Sequence, residues 1–187
     1  METKDLLGDA QRFFVKGEYE ESARKFTEAI EAGAEPSLAY LSRGTAYFKI
    51  NRMDEAIQDF SKAVELNKNK TRGYYYRGIA YMTKEDYRSA LPDLNRVIEL
   101  DSEHGAAFLA RGTLYGLIGE EEKSAKDMKT AIMKSETEIQ RFADTSGIIR
   151  TQFHSVMAHL SGEGPHVPAL SLSEEEIATV KRWISAT

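Results

Sequence analysis

Arg43-Gly44-Thr45-Ala46-Tyr47, Arg77-Gly78-Ile79-Ala80-Tyr81 and Arg111-Gly112-Thr113-Leu114-Tyr115 recur along the chain at a constant spacing of 34 residues. The same offset aligns Ala56 with Ala90 and Ser124, Phe60 with Leu94 and Met128, Ala63 with Val97 and Ala131, and Val64 with Ile98 and Ile132. One period earlier, Ala10, Phe13, Ser22, Phe26, Ala29 and Ile30 fall in the same columns with poorer agreement. Each period holds two apolar segments of helical spacing, separated by short turn signals such as Lys16-Gly17-Glu18, Ile50-Asn51-Arg52 and Ile118-Gly119-Glu120. The unit is therefore a helix hairpin, repeated four times. A hairpin of this length cannot cover its own apolar face, so each one depends on its neighbours for burial.

A glycine inside a helix costs about 1 kcal/mol relative to alanine, so three at one register imply a compensating close approach of two helix backbones. Gly44, Gly78 and Gly112 mark those crossings, with Ala56 and Ala90 keeping the opposing helix close. Two further columns repeat together: Arg43, Arg77 and Arg111 with Asp59, Asp93 and Asp127. Three arginines in register could hold an acidic ligand. The favoured reading is a ladder of inter-helix ion pairs, because the guanidinium fork matches a carboxylate. Pro92 falls inside the second apolar segment of the third period, where it removes a helical hydrogen bond and predicts a local kink; the alternative is a late helix start with proline in the first turn.

These residues resemble the tetratricopeptide repeat (TPR) family, whose signature is W-x2-L-G-x2-Y, then A-x3-F, then A and P. The Gly-x2-Tyr pair is intact at Gly44/Tyr47, Gly78/Tyr81 and Gly112/Tyr115, with Tyr40, Tyr74 and Phe108 in the tryptophan column. Arginine replaces the leucine before each glycine, and Pro36 is the one proline near a repeat end. The resemblance implies an all-α fold, an α-solenoid in which four hairpins (3–36, 37–70, 71–104 and 105–138) wind as a right-handed superhelix. The first unit has Asp9 before Ala10 where the others have Arg-Gly, as expected of a terminal unit with one wet face.

The resemblance also implies a binding surface, lined by the first helix of each hairpin. Carried onto this chain, its positions are Lys4, Leu7, Gln11 and Phe14; Leu38, Leu41, Thr45 and Phe48; Arg72, Tyr75, Ile79 and Met82; Ala106, Leu109, Thr113 and Gly116. Such a groove is largely apolar and aromatic, with Tyr75, Phe48 and Met82 suited to anchor a peptide. The competing role for these side chains is packing between helices. A subclass of the family grips acidic tails of heat-shock chaperones with lysine and asparagine side chains. The matching positions here are Asp9, Gln11 and Ser42, with Arg72 the one cation retained and Tyr76 following, which argues against that ligand. An apolar peptide or an amphipathic helix is the better partner.

Beyond the repeats, Ile139, Phe142, Ile149, Phe153, Met157 and Leu160 keep near-helical spacing behind a capping box of Ser135 and Glu138. They predict a capping helix at 139–161 over the last hairpin, with a possible break at Thr145-Ser146-Gly147. A Gly- and Pro-containing linker follows at 162–172, then an amphipathic helix at 173–185, opened by Ser173 and Glu176. Its stripe of Ile177, Val180 and Ile184, with Trp183 beside it, is expected to dock: on the chain's own groove, on a partner, or beside the capping helix.

The chain has 187 residues and a formal net charge of -5, which excludes a generic basic nucleic-acid binder. With no cysteine there is no disulfide framework or thiol nucleophile. His104, His154, His159 and His166 fit no metal-binding spacing, and no phosphate loop or nucleophile elbow occurs. No cofactor is expected, and the chain reads as non-enzymatic. No stretch approaches the roughly 20 apolar residues of a membrane span, and the first residues lack the apolar core of a signal peptide, so a cytoplasmic protein without membrane insertion is the default. The leading expectation is a protein–protein interaction adaptor. A chaperone-like holder of hydrophobic client segments and a scaffold self-associating through its last helix are the alternatives.

Overall fold

The computed structural model describes residues 3–146. They form α1 (Thr3–Val15), α2 (Tyr19–Glu31), α3 (Pro36–Lys49), α4 (Met53–Leu66), α5 (Thr71–Thr83), α6 (Tyr87–Leu100), α7 (Gly105–Leu117) and α8 (Glu121–Ser146), with no strand among the described residues. The chain divides into two compact units, Met1–Ile132 and Met133–Thr187. The hairpins fill the first; of the second, the described part is the C-terminal stretch of α8. The expectations for 147–161, for the linker at 162–172 and for Ile177, Val180, Trp183 and Ile184 lie outside the described residues.

Within the first unit the fold is an all-α solenoid. Each helix of α1 to α7 packs on the next, and α3 also touches α5, as α5 touches α7. The 34-residue columns explain why. Ala56, Phe60, Ala63 and Val64 of α4 and Ala90, Leu94 and Val97 of α6 form buried stripes at helical spacing. Phe60 clusters with Ala80 of the following hairpin, and Leu94 with Ala110 and Leu114 of the one after, so each stripe is closed by its neighbour. On the outer side of α1 the pattern turns polar. Asp5 and Arg12 are exposed where the second hairpin buries Ala39 and Ala46.

The three repeated glycines do sit at backbone crossings. A Cβ built at Gly44 would lie 2.8 Å from Phe60 Cε1, at Gly78 3.3 Å from Leu94 Cγ, and at Gly112 3.2 Å from the Met128 backbone nitrogen. In the first hairpin Ala10 takes this column, and Ser22 Oγ donates to its carbonyl at 2.9 Å.

The turns inside the hairpins share one geometry. Gly17, Asn51, Glu85 and Gly119, one period apart, have φ of +80°, 62°, 61° and +81°. The residue after each donates its amide to a carbonyl five positions back: Glu18 to Phe13 at 3.0 Å, Arg52 to Tyr47 at 2.9 Å, Asp86 to Tyr81 at 2.9 Å and Glu120 to Tyr115 at 2.8 Å. This is the Schellman closure, which satisfies carbonyls the ended helix leaves open.

One boundary differs from the sequence expectation. α8 runs without interruption through Ser135 and Glu138, so no separate helix opens there and residues 139–146 prolong the helix of the fourth hairpin. The stretch from Glu121 to Ser146 holds no glycine or proline, and a Ser-x-x-Glu pattern inside such a run can be accommodated by the helix. Pro92 lies well inside α6, whose N-cap Asp86 accepts from the Ser89 amide at 3.1 Å. The first-turn alternative therefore falls, and the helix is carried past the proline.

Candidate functional site

The arginine columns resolve into ion pairs. Arg43 donates through Nε and Nη2 to both Asp59 oxygens at 2.7 Å, and Arg77 does the same to Asp93 at 2.7 Å. Arg111 grips Asp127 at 2.6 and 3.0 Å. The remaining donor reaches back to the preceding hairpin: Arg43 Nη1 to Thr27 Oγ1 at 2.9 Å, Arg77 Nη1 to Ser61 Oγ at 3.1 Å, and Arg111 Nη1 to Asn95 Oδ1 at 2.7 Å. Each guanidinium lies over the aromatic side chain three residues before it, at 5.4 Å from the Tyr40 ring, 5.8 Å from Tyr74 and 5.5 Å from Phe108. Hydrogen bonding to the aspartate raises each guanidinium pKa, against an opposing effect of burial. These side chains are committed to one another, so the arginine column does not offer a ligand site.

Thr27, Ser61 and Asn95 were not singled out in the sequence. They share a column and an accepting oxygen but not a residue type, and only a comparison of hydrogen-bonding capacity at the 34-residue offset would have found them.

The expected groove residues lie on α1, α3, α5 and α7. Leu7 is half-buried against Leu6, Ala29 and Ala34. Leu41 and Phe48 pack on Ala56, Phe60 and Ala80. Tyr75, Ile79 and Met82 pack on Ala90, Leu94, Ala110 and Leu114. The Tyr75 ring also stands 5.1 Å from that of His104 and 5.6 Å from that of Tyr76, and burial pushes its phenol pKa up. Phe14 meets Tyr19 edge to face at 5.2 Å. These side chains therefore serve the packing between helices while keeping part of their surface accessible.

Gln11, Arg72, Leu109 and Thr113 are exposed. So is Leu38, at 46%, with Leu109 at 54%. The hydroxyls of Thr45 and Thr113 donate within their own helices, to Leu41 O at 2.8 Å and Leu109 O at 2.9 Å, which leaves them only acceptor capacity towards a ligand. Of the positions matching the chaperone-tail clamp, Asp9 pairs with Arg12, and Tyr76 stacks on Phe60 at 5.7 Å. Among the described residues no three His, Asp or Glu side chains gather as a metal site, and no helix is long and apolar enough to cross a membrane.

Stacked helix hairpins, a glycine at three of the four crossings and one shared face of first helices define a repeat solenoid. Tetratricopeptide repeat family models match residues 37–70 and residues 75–132. Residues 37–70 and 75–132 are tetratricopeptide repeats. No curated protein matches the sequence of the chain. Among solved structures, MamA is 21% identical with a TM-score of 0.70, covering 74% of this chain and 81% of its own. YrrB, described as a TPR protein with an unusual peptide-binding site, is 25% identical with a TM-score of 0.66, over 77% of this chain and 74% of its own. The first TPR of Spaghetti (RPAP3), bound to the HSP90 peptide SRMEEVD, is 24% identical with a TM-score of 0.61, over 63% of this chain and 94% of its own.

Proposed function

We propose that this chain is a non-enzymatic interaction scaffold that holds an apolar peptide or an amphipathic helix of another protein against the first helices of its hairpins. The observation that carries the reading is the apolar side-chain surface left accessible along α3, α5 and α7. Leu38 and Leu109 are 46% and 54% exposed, beside the half-buried Leu41, Phe48, Tyr75, Ile79 and Met82. Their inner atoms are fixed by the cores beneath, so little side-chain entropy is lost when a partner covers the outer ones. The peptide-binding described for YrrB and RPAP3 supports the same use of the fold. Asp9 and Tyr76, at positions where a chaperone-tail clamp needs donors, speak against an HSP90 tail held in that manner.

Selection of peptides from a displayed library on the full chain tests the proposal. Selected peptides should share an apolar pattern, and Leu38→Gln with Leu109→Gln should weaken them about tenfold, since two partly exposed leucines covered by a partner contribute about 1.4 kcal/mol between them. Equal affinity for the variant, with its helical circular dichroism unchanged, removes this face as the site. Holder activity would show as suppression of client aggregation, and self-assembly as a mass that rises with concentration.

A further inference from the structure

Lys68, Lys70 and Arg72 place three cations within five residues, on the turn from α4 into α5 and the start of that helix. All three are exposed, and none forms a salt bridge to a described carboxylate, although Glu65, paired with Lys62, also feels the charge of Lys68. Other exposed basic residues divide: Arg24, Arg52, Lys62, Lys84, Arg96 and Lys123 reach a carboxylate, whereas Lys16, Lys49, Arg88, Lys126 and Lys129 form no salt bridge among the described residues, so what sets Lys68, Lys70 and Arg72 apart is their clustering beside the groove. Two acidic groups of the neighbouring turns are engaged locally: Glu35 accepts from the Ser37 and Leu38 amides, and Asp101 from the Glu103 amide.

Arg72 occupies one of the groove positions, three residues before Tyr75 and one period after the exposed Leu38. The cations therefore flank the apolar wall on the side where its helices begin. The molecule as a whole carries a net charge of -5, so this rim has a sign opposite to that of the chain. An acidic partner, repelled elsewhere, is attracted here, and a basic one loses that attraction.

We propose that the occupant of this face is an amphipathic segment of another protein that lays its apolar stripe on Leu38, Leu41, Tyr75 and Leu109 and its side-chain carboxylates against Lys68, Lys70 and Arg72. This rests on the peptide-binding reading above and adds the charge of the partner. The carboxylates are those of glutamate or aspartate side chains along the segment, with no need of a free chain terminus.

Two synthetic amidated peptides with one apolar stripe, flanked by glutamates in one and lysines in the other, test it by fluorescence anisotropy on the full chain. The glutamate peptide should bind about tenfold tighter at low salt, with the preference shrinking as salt rises. In Lys68→Glu/Lys70→Glu/Arg72→Glu the preference should invert, a gain of lysine-peptide binding that an unfolded variant could not give. Equal binding of the two peptides, binding of neither, a preference unchanged in the triple variant, or binding only of a non-amidated glutamate peptide each overturns the proposal. The groove reading fails separately: a glutamate preference that survives while Leu38→Gln/Leu109→Gln changes nothing would place the cations on a different surface. Equal weakening of both peptides in that leucine variant, with no glutamate preference in the unaltered chain, would retain the groove and reject the charge rule.

Discussion

A methyl group added at Gly44 would meet Phe60 Cε1 and Cδ1 at 2.8 and 2.9 Å, whereas at Gly78 the nearest atoms are Leu94 carbons at 3.3 Å. Phe60 has nowhere to go: it is fully buried and its ring stacks on Tyr76 at 5.7 Å. Leu94 is equally buried, but a few tenths of an ångström of movement in a branched aliphatic side chain suffices. Alanine gains about 1 kcal/mol of helix propensity at either site, set against an overpacking cost of about 1–3 kcal/mol where the neighbour is fixed. Gly44→Ala should therefore destabilise by about 1–2 kcal/mol while Gly78→Ala stays within about 0.5 kcal/mol of neutral, as urea midpoints would show. A bulkier residue at Gly78 should destabilise, because its further atoms enter the Leu94 side chain. The sequence exposes the glycine column and its partners Phe60, Leu94 and Met128. It does not rank them, because the ranking depends on distances that differ by half an ångström.

Most hairpin boundaries are readable because helix ends carry their own chemistry, and the misreadings come from residues that do not advertise their role. Gly17, Asn51 and Gly119 announce a left-handed position; Glu85 occupies the same column with φ 61° and no such signal. A non-glycine residue there costs about 1–2 kcal/mol, partly offset in a glycine replacement by about 0.5–1 kcal/mol of extra unfolded-state entropy. Glu85→Gly should thus raise stability by about 0.5–1 kcal/mol, and Gly17→Glu should lower it by a similar amount. Thermal melts of the two variants check both signs, and a destabilised Glu85→Gly would mean that the turn is held by its hydrogen bonds alone. The continuity of α8 through Ser135 was hidden for the opposite reason: Ser135 and Glu138 form a start signal that the surrounding run of helix formers overrides. The candidate face was legible only as positions carried over from family resemblance. Its lysines at 68 and 70 lie in a turn, outside the helical pattern that supplied those positions.

At the scale of the molecule, the arginine ladder determines how the hairpins act together. Each guanidinium binds an aspartate of its own hairpin and an oxygen of the hairpin before, so Arg77 ties α5 to α6 through Asp93 and to α4 through Ser61. Stability in a stacked array is a sum of unit and nearest-neighbour interface terms, so an interface lost in the middle separates the array into halves. Arg77→Met would leave Asp93, whose side chain is 7% exposed, without its counter-charge. That loss should cost about 3 kcal/mol, the low end for a broken buried pair because the guanidinium keeps some solvent contact. Arg77→Met combined with Asp93→Leu removes the stranded charge and should recover part of the cost. Native-state hydrogen exchange separates these outcomes residue by residue. In the single variant, amides of α5 and α6 should open at lower free energy than those of α3 and α4, as two cooperative groups. In the double variant, the groups should draw closer together. If Arg77→Met instead lowers protection uniformly from α2 to α7, the hairpins unfold as one body and the ladder stabilises the array without dividing it.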